Sequence, residues 1–215
     1  MFRFRQFWIS SMKRILDGSK MILDVGCGQA SPLRFVEDSY KVGLDHFRPY
    51  ILKSKSAAIH NAYVLADASH LPFRSKSFDC AVAIEVIEHL GKQDGLRMIK
   101  QMEDVTQRKI LLTTPNGFFN ALAGPDALNP EEKHISGWFV SEFRKLGFKV
   151  YGLNGFKLLY KAAPGKVVLK FRPQALFAFL ASISCLFVYF FPSLAFQLFC
   201  IKICSAKRET QSYMA

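Results

Sequence analysis

Residues Ile22 to Ala30 read ILDVGCGQA, an apolar strand that runs into a loop carrying Gly26 and Gly28 and then into a helix start at Ser31-Pro32. Glycines at such a turn let the backbone approach a ligand closely and aim amides at it. Dinucleotide sites and purely structural tight turns share this geometry, so the turn alone does not choose between them. Two acidic residues narrow the choice. Asp45 closes VGLD and Asp67 stands in VLADASHLPF, each at the C-terminal end of a predicted strand, where α/β sheets bind their ligands. A carboxylate at Asp45 can accept both hydroxyls of a ribose, and Asp67 with the Ala68 backbone can meet an adenine edge. The plain alternative for each is a helix cap.

Glu85, Glu88 and His89 fall at i, i+3 and i+4, so a helix starting after the fourth predicted strand gathers them on one face. Two carboxylates and an imidazole can hold a divalent ion such as magnesium or manganese. His134, in KHISGW, is a further candidate for the same pocket. The plain alternatives are helix capping and pocket shaping for the first three and an ordinary hydrogen-bonded loop position for His134. His46, His60 and His70 are read as solvated or packing residues.

These residues need a scaffold, and the hydrophobic pattern supplies one. Short runs rich in Val, Ile and Leu alternate with longer helical stretches from about residue 21 to 114, the signature of a parallel α/β sheet. The predicted strands are Met21–Val25, Lys41–Asp45, Ala62–Ala66, Phe78–Ile84 and Lys109–Thr113, with a sixth over 148–153. Predicted helices cover Pro32–Asp38, Arg48–Ile59, Gly95–Thr106 and Val140–Leu146, the last stopped by Gly147.

Taken in order, ILDVGCGQA, VGLDHF, LADASHLPFRSKSFDCAVAIEVIEHL and KILLTTPNG resemble the motifs of the class I S-adenosylmethionine-dependent methyltransferase superfamily, particularly its small-molecule branch. The resemblance spans roughly residues 15 to 155. It implies a Rossmann-like sheet of seven strands with the last antiparallel, and S-adenosylmethionine as cofactor. By position, Asp24, Gly26 and Gly28 would face the methionine part, Asp45 the ribose, Asp67 and Ala68 the adenine, and Glu85 the border of the transfer pocket. Ala30 stands where many relatives have a third glycine. The E-x-x-E-H spacing resembles that of metal-dependent O-methyltransferases, which implies Glu85, Glu88, His89 and His134 as a ligand set; many relatives carry EVIEHL with no metal. Methyl transfer is an in-line displacement in which the protein positions the reactants and supplies a base, for which His89 and His134 are the candidates. A nicotinamide enzyme is the competing reading, but its fingerprint needs a glycine where Ser31 stands.

Composition bears on where such an enzyme would act. Lys and Arg number 29 against 17 Asp and Glu, a net charge of +12, so the surface attracts an anionic partner, nucleic acid or lipid. Half the residues are hydrophobic and 21 are Phe, many of them in the last fifth of the chain, which favours lipid and makes nucleic acid the weaker partner. Five cysteines without a CxxC pair suggest neither a disulfide framework nor a zinc site, and fit a reducing, cytoplasmic setting. The first 20 residues carry five basic side chains and read as an amphipathic helix rather than a secretion signal.

Residues 174–203 form a thirty-residue apolar run in which Lys202 is the sole charge. The expected organisation is therefore a basic helix over 1–20, a methyltransferase domain over 21–165, an apolar membrane-associated segment over 166–205 and a polar tail over 206–215. Two placements of the seventh strand compete: directly after an Asn154-Gly155 hairpin, or over 196–204. The second makes residues 174–191 a re-entrant or interfacial helix stopped by Pro192, and the basic flanks favour it by keeping both ends on the cytoplasmic face; the first leaves a single-pass anchor. The function so expected is methyl transfer at a membrane surface to a small amphiphilic acceptor, a lipid or quinone precursor. The rivals are a metal-dependent RNA 2′-O-methyltransferase and a membrane-anchored binding module without turnover. Nothing in the sequence fixes the oligomeric state.

Overall fold

The computed structural model describes residues 2–119, 129, 132–163 and 166–204. The predicted strands fall where the apolar runs place them. β1 (Met21–Val25), β2 (Tyr40–Asp45), β3 (Ala62–Leu65), β4 (Phe78–Ile84) and β5 (Thr106–Pro115) are all parallel. β6 (Lys149–Phe156) follows a short helix, β7 (Tyr160–Ala163) and β8 (Lys166–Leu169) pair as a separate ribbon, and β9 (Ala195–Ile203) returns to the main sheet. The sheet order is β3-β2-β1-β4-β5-β9-β6, with β9 antiparallel to both neighbours.

This settles the seventh strand in favour of the second placement. Asn154 and Gly155 have φ of 62° and 76°, as a tight hairpin requires, yet they form an irregularity inside β6, where the register against β9 shifts between Leu153 and Phe156. The chain then runs through the ribbon and α5 (Gln174–Phe190) before β9 slots between β5 and β6. Residues 166–205 thus contribute a strand to the main sheet. No helix among the described residues is long and apolar enough to cross a membrane.

Helices cover both faces. One core, which includes Leu23, Leu44, Ala81 and Leu112 of the sheet, packs on α3 (Lys92–Val105) through Met98, Ile99 and Met102 and on α4 (Val140–Lys145) through Phe143. The opposite core sets Ile22, Val82, Leu111 and Phe199 against Met12 and Leu16 of α1 (Phe2–Leu16). α2 (Arg48–Ser56) packs beside β2 and β3.

Three predicted helices change. The stretch expected to be helical over 32–38 makes only a 3-10 turn, Pro32–Phe35, because Val36 is already extended and Asp38 takes a left-handed φ of 58° to feed β2. α2 ends early at a left-handed Ala58. α3 begins a turn earlier than expected, which places Gly95 inside it under Trp138, where a Cβ would sit 2.6 Å from the indole.

Candidate active site

The C-terminal ends of β1, β2 and β4 open on a cavity of about 470 Å³. Its floor is the loop after β1. Gly26 has φ of 68°, and a Cβ there would lie 2.5 Å from a methyl of Val86; Gly28 has φ of 55° and nothing within 4 Å of the same position. Gly26 is therefore required for close packing as well as conformation, whereas Gly28 is required for its turn and opens toward the cavity.

Asp45 braces that loop. Its Oδ2 accepts the Gly28 N–H at 2.8 Å and its Oδ1 the Phe47 N–H at 2.9 Å, and the residue lines the cavity. The carboxylate is thus oriented by backbone amides, with acceptor capacity left over on both oxygens. Asp24 also lines the cavity, but its Oδ2 is engaged by Ser31 Oγ at 2.5 Å and His60 Nε2 at 2.8 Å. His60, buried against Ser54 and Asp24, proves to be a packing residue that holds the loop's first acid in place. Asp67 and Ala68 stand at the cavity edge after β3, the Asp67 Oδ1 accepting the Ser69 N–H at 2.6 Å. Across the mouth, the Tyr50 hydroxyl donates to Glu132 Oε1. Burial and that carboxylate together push the Tyr50 phenol above its ordinary value.

The second half of the site departs from the expected helix. Glu85 has a left-handed φ of 56°, and only Ile87–His89 wind into a 3-10 turn, so no helix carries Glu85, Glu88 and His89 on one face. Glu85 Oε1 accepts from Thr113 Oγ1 at 2.8 Å and from Gln197 Nε2 at 2.6 Å, while Glu88 Oε2 accepts from Thr114 Oγ1 at 2.9 Å. Burial raises both carboxyls, and the charge on Glu85 raises Glu88 further. Glu88 is raised the more of the two, because it is buried beside the Glu85 carboxyl, whereas Glu85 has two side-chain donors that oppose its shift.

The strap from His134 to Trp138 is tied to this turn. Ile135 and Ser136 donate their N–H groups to Glu88 O at 2.9 and 3.1 Å, and Trp138 Nε1 donates to Ser136 Oγ at 2.9 Å and to Ile87 O at 3.3 Å. That brings the His134 ring to 5.0 Å from the His89 ring, nearly perpendicular to it. One ligating atom each from Glu88, His89 and His134 lies within 4.8 Å of the others. Glu85, the fourth residue of the expected set, is not in that group. Burial lowers both imidazoles below the ordinary histidine value, so both are neutral at pH 7. The His89 Nδ1–H points to Lys133 O at 3.2 Å, which leaves Nε2 as the free lone pair. Glu88 Oε1 and His134 Nδ1 are buried and, among the described residues, without a hydrogen-bond partner.

Residues 23–112 match the family model described as a methyltransferase domain. That match covers 90 of the 215 residues, over which the chain is similar to methyltransferase domains. The chain is 33% identical over 86 residues to "Probable tRNA methyltransferase 9B" of Bos taurus, a match covering 40% of the chain but only 18% of that relative's length. In fold it resembles the crystal structure of magnesium protoporphyrin IX methyltransferase (ChlM) from Synechocystis PCC 6803 with bound SAM, with a TM-score of 0.55, 13% identity, and coverage of 94% of this chain and 80% of that one. The methyltransferase domain of bacterial CtHen1 is similar at a TM-score of 0.56 and 16% identity, covering 94% and 100% of the two chains.

Gln197 was missed from the sequence as a site residue. Its signal is a polar side chain in an otherwise apolar strand segment, AFQLFCI, but its partner is 112 positions away.

Proposed function

We propose that the chain is an S-adenosylmethionine-dependent methyltransferase that methylates a small amphiphilic acceptor at a membrane surface. The observation that carries the cofactor reading is the joint placement of the Gly26–Gly28 turn, the amide-braced Asp45 and the Asp67-Ala68 edge around one cavity. Bound S-adenosylmethionine would supply an electrophilic methyl group on a sulfonium. In this reading Asp45 accepts the ribose hydroxyls, Asp67 and the Ala68 backbone meet the adenine, and Asp24 with the glycine loop surrounds the methionine part. Glu85, fixed by Thr113 and Gln197, sets a carboxyl beside the place where a sulfonium would lie. His89 and His134, both neutral, are the candidates to take an acceptor proton.

The same two histidines and Glu88 suit a magnesium or manganese ion, because the two orphaned buried atoms, Glu88 Oε1 and His134 Nδ1, are potential ligands. Loading would require the ionised form of Glu88, which burial and the neighbouring Glu85 disfavour. A metal-dependent RNA 2′-O-methyltransferase is the second reading, favoured by the similarity to the bovine probable tRNA methyltransferase and by the +12 charge.

The test is transfer of a radiolabelled methyl group from S-adenosylmethionine into a lipid extract and, separately, into bulk tRNA. Each acceptor is assayed before and after chelation, with magnesium or manganese added back. Label in the lipid fraction that falls on chelation and returns with the ion is the expected result. Label in tRNA alone would establish the second reading, and undiminished transfer by a demonstrably metal-free protein would remove the ion.

A further inference from the structure

α5 meets the sheet through a narrow strip of small residues. Ala181, Ser184 and Val188 are its buried positions. A Cβ on Gly152 of β6 would lie 2.1 Å from Val188 O, and one on Gly155 would lie 2.4 Å from Ala181 O. Ser184 Oγ accepts the Phe156 N–H at 3.0 Å, which fixes the helix's rotation about its axis. The remaining surface of the helix faces outward. Phe179, Ile183, Leu186 and Phe190 recur at helical spacing along one stripe and are exposed, Leu186 to 73% and Phe190 to 68%. Leu176, Leu180, Phe187, Phe191 and Leu194 extend the stripe on its flanks, and no charged residue occurs from 173 to 201. A contiguous apolar face of this kind marks an interaction site, unlike scattered single hydrophobics.

We propose that this face docks on an anionic lipid bilayer, α5 lying in the plane of the surface with its outer stripe at the boundary of headgroups and acyl chains. Charge selects this occupant. From residue 143 to residue 204 the chain has nine Lys and Arg and no Asp or Glu, and Lys170 and Arg172 stand immediately before α5. Arg14 of α1 lines, with Trp8, Tyr189 and Phe190, an apolar groove of about 300 Å³ beside the helix. Basic residues rimming an apolar helix face match the negative surface potential of anionic lipids.

Geometry selects lying over crossing. At about 1.5 Å per residue the 17 residues of α5 reach roughly 25 Å, short of a hydrocarbon core of about 30 Å. Its C-terminal end is also returned to the sheet: the Asn116 side-chain amide donates to the carbonyls of Pro192, Ser193 and Ala195. Two residues into β9 from there, Gln197 holds Glu85. The docked face therefore leads to the end of the molecule where the candidate active site opens. The docking itself does not depend on the methyltransferase reading; only delivery of an acceptor from the bilayer does.

The full chain is floated with sealed vesicles of phosphatidylcholine alone or with about 30% phosphatidylglycerol, at low and high salt. The wild type should float with the anionic vesicles, about tenfold less with neutral ones, and less at high salt. The variant Ile183→Gln/Leu186→Gln/Phe190→Gln, altered only at exposed positions, should partition at least about tenfold less while keeping its affinity for S-adenosylmethionine. Brominated acyl chains should quench Trp8, which lies beside α5, and leave buried Trp138 unquenched. A wild-type protein that stays unbound with both vesicles, a triple variant that floats as well as wild type, or unquenched Trp8 would each overturn the proposal. So would a wild-type dimer that the triple variant dissolves into monomers with no vesicle binding by either, which would assign the face to a second copy.

Discussion

Replacing Asp45 by Ala should weaken S-adenosylmethionine binding by roughly 30- to 1000-fold, a loss on the order of 2 to 4 kcal/mol. Two effects add. The variant loses a charged acceptor aimed into the cavity, and it releases the Gly28 and Phe47 amides that the carboxylate now holds at 2.8 and 2.9 Å. Since Gly28 sits at a left-handed φ of 55°, its loop has no intrinsic preference for this shape once that brace is gone. Asp45→Asn keeps one acceptor oxygen and nearly the same volume, so it should fall between wild type and Ala, about tenfold weaker than wild type. Calorimetric titration of the three proteins reads the series directly. An Ala variant that binds as tightly as wild type would remove Asp45 from the cofactor site.

Trp138→Ala should lower stability by about 3 to 5 kcal/mol and the melting temperature by roughly 6 to 20 °C. The indole is 1% exposed and lies 5.6 Å from the Phe143 ring, with Lys92 Nζ 3.9 Å above it. Gly95 presses on its edge, so no neighbouring side chain can swing in to fill the space. The consequence for the site is larger than the cavity alone. Trp138 Nε1 binds Ser136 Oγ and Ile87 O, and these bonds anchor the strap that sets His134 against His89. Well below its melting temperature, the variant should therefore bind S-adenosylmethionine normally and yet transfer methyl groups slowly. Thermal unfolding followed by titration and a turnover assay at about 15 °C separates the two effects. A melting temperature within about 2 °C of wild type would mean that the indole is not the keystone of this strap.

The parallel half of the sheet was legible because β1, β2, β4 and β5 are apolar on both faces, which leaves an unmistakable run. The acids that line the cavity were legible for a related reason: Asp24, Asp45 and Asp67 are polar residues in or directly after such runs. Glu85 was placed on the wrong scaffold because periodicity reports where a helix could form, and a single left-handed residue cancels it without changing the pattern. Asn154-Gly155 offered a hairpin that the structure does not form. Its φ angles are those of a hairpin, but β9 was available to pair on the far side, so the strand absorbed the turn as a bulge. The length and apolarity of α5 were plain in the sequence. Which strip of it would be buried was not, since that depends on Gly152 and Gly155 lying beneath Val188 and Ala181. Gln197 and His60 were hidden because each acts through a partner distant in the chain.

The central claim is that the cavity at the C-terminal ends of β1, β2 and β4 is built for S-adenosylmethionine. Isothermal titration of the purified wild-type chain with S-adenosylmethionine, and in parallel with NAD, tests it most directly. Saturable binding of one S-adenosylmethionine per chain, with a dissociation constant on the order of 1 to 100 μM and no heat from NAD, is the predicted result. Binding of NAD in its place, or of neither ligand by a protein shown to be folded, would contradict it.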